Sequence, residues 1–198
     1  DAAQAYLAAG EIPAAGEPGA VEERDILPAY AEYLRSLVDL SGIRLLKVVV
    51  DAGNGMGGMT TPAVLGDAKL EALPLEIVPL YFELDGTFPN HEANPLDPKN
   101  LVDLQERVRS HGADIGIAFD GDADRCFVVD ERGEPVTPSA ITALVAQREI
   151  DRAVAQGTPV DQVAVVHNAI ASRVVPEVIE AAGARPVRTR VGHSFIKD

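Results

Sequence analysis

The 198 residues carry 31 acidic side chains against 17 basic ones, a formal charge of −14, with 46% hydrophobic residues and a single cysteine, Cys126. That length and apolar share supply a core for one ordinary domain plus part of another, and the charge argues against nucleic acid as a partner. A lone cysteine forms no internal disulfide and no run approaches the roughly 18 apolar residues of a membrane helix, so a cytoplasmic protein without membrane contact is expected. The chain starts at Asp1 with no initiator Met and no signal-peptide pattern, which leads us to expect a piece of a longer protein.

Residues 10 to 25, GEIPAAGEPGAVEERD, concentrate Gly, Pro and acidic residues and read as a connector, with a boundary near Ile26. Pro28 opens an apolar-periodic helix through Leu40, and Lys47 to Val50 is a β-branched strand. Glu76 to Phe82 reads as the next strand. Asn100 is the expected cap of a helix that reaches His111 and stops at Gly112; Asp114 to Phe119 and Cys126 to Val129 follow as strands. A helix from Pro138 to Gln156 precedes a second strand, helix and strand at Val163 to Val166, Ser172 to Ala182 and Arg185 to Arg190. The alternation predicts an α/β fold with mixed, largely parallel sheets flanked by helices, and ligands gathered at the carboxyl ends of the strands, where Asp51 and Asp120 fall.

The stretch DIGIAFDGDADRCFVV sets Asp120, Asp122 and Asp124 at alternate positions between two predicted strands. Three carboxylates so close repel one another, and a hard divalent cation relieves that repulsion. All-oxygen ligation with positions left open for a phosphate oxygen suits Mg²⁺ better than zinc. Arg125 follows directly, and its planar fork of donors suits a phosphate or sugar oxygen. A solvated acidic turn is the bland alternative, and a calcium EF-hand the sharper one. The EF-hand loop requires Gly at its sixth position, where this chain has Arg125, and helices at its flanks, where strands are expected here.

The hexapeptide DGDADR at 120–125 resembles the metal-binding signature of the alpha-D-phosphohexomutases. VVVDAGNGMGG at 48–58, DGTFPNHEANP at 85–95 and TRVGHSFIK at 189–197 resemble the same family, in order. The resemblance implies Mg²⁺ on Asp120, Asp122 and Asp124, substrate or phosphoserine contact by Arg125, and a sugar-contacting loop containing Gly192 and His193. It further implies the end of a preceding domain and a connector at 1–25, a complete metal-binding second domain at 26–137 and an incomplete third domain at 138–198. The implied parent enzyme interconverts hexose 1-phosphate and hexose 6-phosphate, mannose or glucose, through a phosphoserine, with glucose or mannose 1,6-bisphosphate as activator. The remaining domains of that enzyme are the implied partners.

No catalytic residue is expected within the chain itself. The family's serine lies in a T-x-S-H-N-P-like motif, and none of Ser36, Ser41, Ser110, Ser139, Ser172 or Ser194 is followed by His-Asn-Pro. Two other classes stay open at this point. Gly53, Gly55 and Gly58 form G-x-G-x-x-G after a strand, which fits a nucleotide-binding α/β domain. A non-enzymatic interaction module is the other. Among the histidines, His91 reads as a turn-stabilising or interdomain residue, His111 as a helix end, and His167 as either a structural imidazole or a cleft residue.

Overall fold

The computed structural model describes residues 19–192 and 194–197, with positions 4, 8, 10 and 16 isolated before them. Most of the segment expected to end a preceding domain therefore lies outside the described residues, as does His193. The elements in chain order are α1 (Leu27–Ser36), β1 (Leu46–Asp51), α2 (Gly57–Val64), β2 (Leu75–Leu80), a 3-10 turn (Pro98–Leu101), α3 (Val102–His111), β3 (Ile115–Phe119), β4 (Cys126–Val129) and β5 (Pro135–Val136). Then come α4 (Pro138–Ala155), a 3-10 turn (Val160–Gln162), β6 (Ala164–Asn168), α5 (Val174–Ala181), β7 (Arg185–Thr189) and the short α6 (Ser194–Lys197).

The first sheet has the order β2-β1-β3-β4-β5. β2, β1 and β3 run parallel, and β4 and β5 turn back antiparallel at one edge. β1 lies between two parallel neighbours, so its Val48, Val49, Val50 and Asp51 are all buried and its sequence is apolar without alternation. Pro79 is tolerated because β2 is an edge strand, where a missing N–H breaks no interior ladder. α3 lays Leu104 and Val108 on this sheet, in one cluster with Val49, Ala118 and Val129. A second cluster joins Ala143, Ala146 and Ile150 of α4 to Val175 and Ile179 of α5, over the parallel pair β6 and β7. Val166 of that pair is 41% exposed.

Three local expectations are corrected. α1 ends at Ser36 rather than Leu40, because Leu37 already bonds the Leu34 carbonyl and Asp39 closes a turn by accepting from the Ser41 N–H. β2 stops at Leu80 because Tyr81 has φ 54°, outside the extended region. Asn100 caps nothing: the 3-10 turn ahead of α3 is capped by Asp97, whose side chain accepts from the Lys99 N–H. Asn100 is instead buried and donates to the Asn94 carbonyl at 2.8 Å.

Candidate metal centre

β3 and β4 pair so that Phe119 faces Cys126, and the six residues between them form the carboxylate loop. Asp120 is buried at 1% exposure, whereas Asp122 and Asp124 are exposed; one oxygen from each lies within 4.8 Å of the others. Among the described residues this is the one cluster of three or more acidic, His or Cys groups drawn together in that way. Ala123 makes the tight path with φ 61°, an uncommon conformation for a residue with a Cβ. The flanks are strands, which removes the EF-hand alternative.

Arg125 grips the buried member of the cluster. Its backbone N–H donates to Asp120 Oδ1 at 3.0 Å and its Nε donates to Oδ2 at 2.5 Å, while 54% of the side chain stays exposed. Burial pushes the Asp120 carboxyl up, but the two Arg125 hydrogen bonds and the guanidinium charge together outweigh it and hold Asp120 below the usual carboxylate range. Asp124 goes the other way. The charge of Asp122, followed by desolvation and the charge of Asp120, raises it. Such crowding is the electrostatic condition a divalent cation relieves, and three monodentate carboxylates suit a hard ion, so the donor set fits Mg²⁺.

Two further loops hold this one. Met56 N–H donates to the Gly121 carbonyl at 2.9 Å, and a Cβ on Gly55 would stand 2.6 Å from that oxygen, so only glycine lets the backbones approach. A Cβ on Gly58 would stand 2.0 Å from the Phe82 carbonyl oxygen. The glycines after β1 thus admit the protein's own backbone, which is the physical reason a dinucleotide reading of G-x-G-x-x-G is not favoured. Asn54 Nδ2 donates to the Glu83 backbone carbonyl at 2.9 Å, tying the segment after β2 to the same turn.

Asp51 shares the carboxyl edge with Asp120 but points elsewhere. Its Oδ1 accepts from the Gly53 N–H at 2.9 Å, and its Oδ2 lies 3.0 Å from His91 Nε2. Nothing in the local sequence pattern signals this pair, because the two residues are 40 apart and His91 sits in a Pro-flanked loop. His167 is buried with Nδ1 3.1 Å from the Asn168 carbonyl, and lines a cavity of about 460 Å³ with Ser139 and Thr142. His111 ends α3, with Nδ1 3.2 Å from the Arg107 carbonyl. Gly192 follows β7 with φ 128°. Among the described residues, no hydrogen bond or ion pair joins residues 138–192 to the carboxylate loop.

Family models match nearly the whole described chain: "Phosphoglucomutase/phosphomannomutase, alpha/beta/alpha domain II" over residues 28–133 and domain III over residues 137–198. The chain is 38% identical over 179 residues to the phosphomannomutase/phosphoglucomutase of Pseudomonas aeruginosa, covering 90% of this chain and 36% of that protein. It is 41% identical over 191 residues to a phosphohexose mutase of Xanthomonas campestris, covering 96% and 40%. A crystal structure of a phosphoglucomutase/phosphomannomutase family protein from Burkholderia thailandensis superposes with a TM-score of 0.74 at 31% identity, over 89% of this chain and 35% of that one. The chain thus spans well under half the length of the curated relatives it matches. It belongs to the alpha-D-phosphohexomutase family and corresponds to the family's middle portion.

Proposed function

We propose that this chain is the metal-binding portion of an enzyme that moves a phosphoryl group between O1 and O6 of a hexose, mannose or glucose, through a phosphoserine and a bisphosphorylated sugar. The observation that carries the reading is the convergence of Asp120, Asp122 and Asp124 at the carboxyl edge of a mixed sheet, with Arg125 half exposed beside them. In this reading 26–137 is the metal-binding domain and 138–198 is part of the next, which supplies a sugar-contacting loop with Gly192 and His193. Asp120, Asp122 and Asp124 would hold Mg²⁺, which supplies charge neutralisation for a transferring phosphoryl group. Arg125 keeps Asp120 ionised and oriented through its Nε, and its exposed guanidinium offers donors to a substrate or phosphoserine oxygen. Glucose or mannose 1,6-bisphosphate is the proposed activator, hexose phosphates the proposed substrates, and the rest of the enzyme the proposed partner of this portion. No described helix is long and apolar enough to cross a membrane.

Calorimetric titration with Mg²⁺ tests the assignment. Asp122→Ala removes an exposed ligand without touching the core, so the fold should persist and Mg²⁺ binding should be lost. Unchanged affinity would sink the metal assignment. Turnover of mannose 1-phosphate or glucose 1-phosphate by the intact protein tests the reaction.

A further inference from the structure

Gly121, between the first two carboxylates, is a junction of three loops. Met56 donates to its carbonyl from one side. On the other side, a Cβ at Gly121 would lie 3.5 Å from Phe88 Cζ and 3.8 Å from Ala93 Cβ, so loop 85–95 packs directly against it. That loop has no helix or strand and reaches φ 51° at Phe88. It is tied to the end of β1 by few bonds: Asp85 N–H to the Asn54 carbonyl, Asn90 Nδ2 to Asn54 Oδ1, and His91 to Asp51. The last of these is the charged one, with 14% of the His91 side chain and 1% of the Asp51 side chain exposed.

The ring of His91 faces an acceptor at each nitrogen: the Glu92 carbonyl 2.9 Å from Nδ1 and Asp51 Oδ2 3.0 Å from Nε2. A neutral imidazole has one N–H and would present a lone pair to one of these acceptors; the imidazolium satisfies both. The carboxylates of Asp51, from β1, and Asp103, from α3, favour that state, as does the backbone carbonyl of Glu92 in the same loop. Tyr81 meets the ring edge-on at 5.4 Å, and its hydroxyl donates to Asp103 at 2.7 Å. That bond, with burial behind it, pushes the Tyr81 hydroxyl up to about 12, so it stays protonated while His91 titrates. The hydrogen bond to Asp51, opposed by burial and aided by the Glu92 carbonyl, pushes His91 up to about 8.

We propose that His91 is a positioning residue: paired with Asp51, it clasps loop 85–95 against Gly121 and thereby sets the spacing of Asp120, Asp122 and Asp124. The inference rests on the metal reading of that loop. Loss of the proton leaves Asp51 a buried carboxylate without its cation, loosens the loop and spreads the ligands. Deprotonation ordinarily strengthens or leaves level the hold of a carboxylate site on a metal, because protons cease to compete. The clasp predicts the opposite.

The test is Mn²⁺ binding to the intact protein, followed by electron paramagnetic resonance across the His91 titration, for the unmodified protein, His91→Gln and Asp122→Ala. The unmodified protein should lose affinity about tenfold as pH rises through the titration, the size expected for an outer-shell support. His91→Gln should bind about as weakly at every pH. Affinity that stays level or rises in the unmodified protein overturns the clasp, as does His91→Gln binding like the parent. If Asp122→Ala alone loses binding, the clasp falls and the metal reading stands; if the unmodified protein binds no Mn²⁺, both fall. Should His91→Gln not fold, the pH profile of the unmodified protein decides alone.

Discussion

Replacing Gly55 with alanine should damage the fold and the carboxylate loop together. The added Cβ would stand 2.6 Å from the Gly121 carbonyl oxygen and 2.9 Å from Gly121 Cα, and both are backbone atoms that no rotamer change can move aside. Reaching ordinary contact requires a retreat of about 0.8 Å, and Gly121 is flanked by Asp120 and Asp122. Overpacking of this kind costs about 1–3 kcal/mol. The same shift moves two of three proposed ligands by more than the roughly 0.5 Å that site geometry tolerates. Gly42→Ala is the control, since nothing lies within 4 Å of its would-be Cβ and its backbone is unstrained. Urea unfolding and Mg²⁺ calorimetry on both variants measure the two effects. A Gly55→Ala protein as stable and as tightly metal-binding as Gly42→Ala would refute the idea that the two loops are in backbone contact.

Three stability predictions follow from other sites. Arg35 donates Nε to the Val64 carbonyl, Nη2 to Gly66 and Nη1 to Glu71, closing the carboxyl end of α2; Arg35→Met should cost about 2 kcal/mol in urea unfolding and leave Mg²⁺ affinity unchanged. Thr61 Oγ1 is buried and has no partner among the described residues, so Thr61→Val, of nearly equal shape, should raise the midpoint of thermal unfolding by a few degrees, equivalent to about 1 kcal/mol. A lower midpoint would show that the hydroxyl is satisfied. His91, raised from 6.5 to about 8, contributes stability that is complete below pH 6.5 and is lost as pH rises through about 8. At about 1.36 kcal/mol per unit the loss is about 2 kcal/mol, and metal-free unfolding of His91→Gln, compared with the parent on either side of that window, should lack it.

Fold class, family and carboxylate loop were all legible in the order of residues alone. Each is written locally: the apolar run of β1, the stop at Gly112, and three aspartates at alternate positions with an arginine behind them. Strand and helix ends were less legible. Tyr81 leaves the extended region and Asp97 takes the capping role expected of Asn100, because turn geometry chose between neighbouring residues of similar propensity. α2 hides in GGMTTPAV, a composition poor in helix formers that is held by packing and by the Arg35 cap.

What the glycines and Asp51 do depends on contacts between segments far apart in the chain. Parallel pairing of β1 with β3 sets their carboxyl ends side by side, so the loops that leave them must pass within backbone contact. Glycine spacing alone reads equally as a phosphate cradle; the position of Gly121 and Phe82 fills that space with protein. Asp51 sits at a strand end suited to a metal ligand, yet it is committed to His91 and Gly53. Its partner lies 40 residues away in a loop without regular structure, and periodicity carries no information about such a distance.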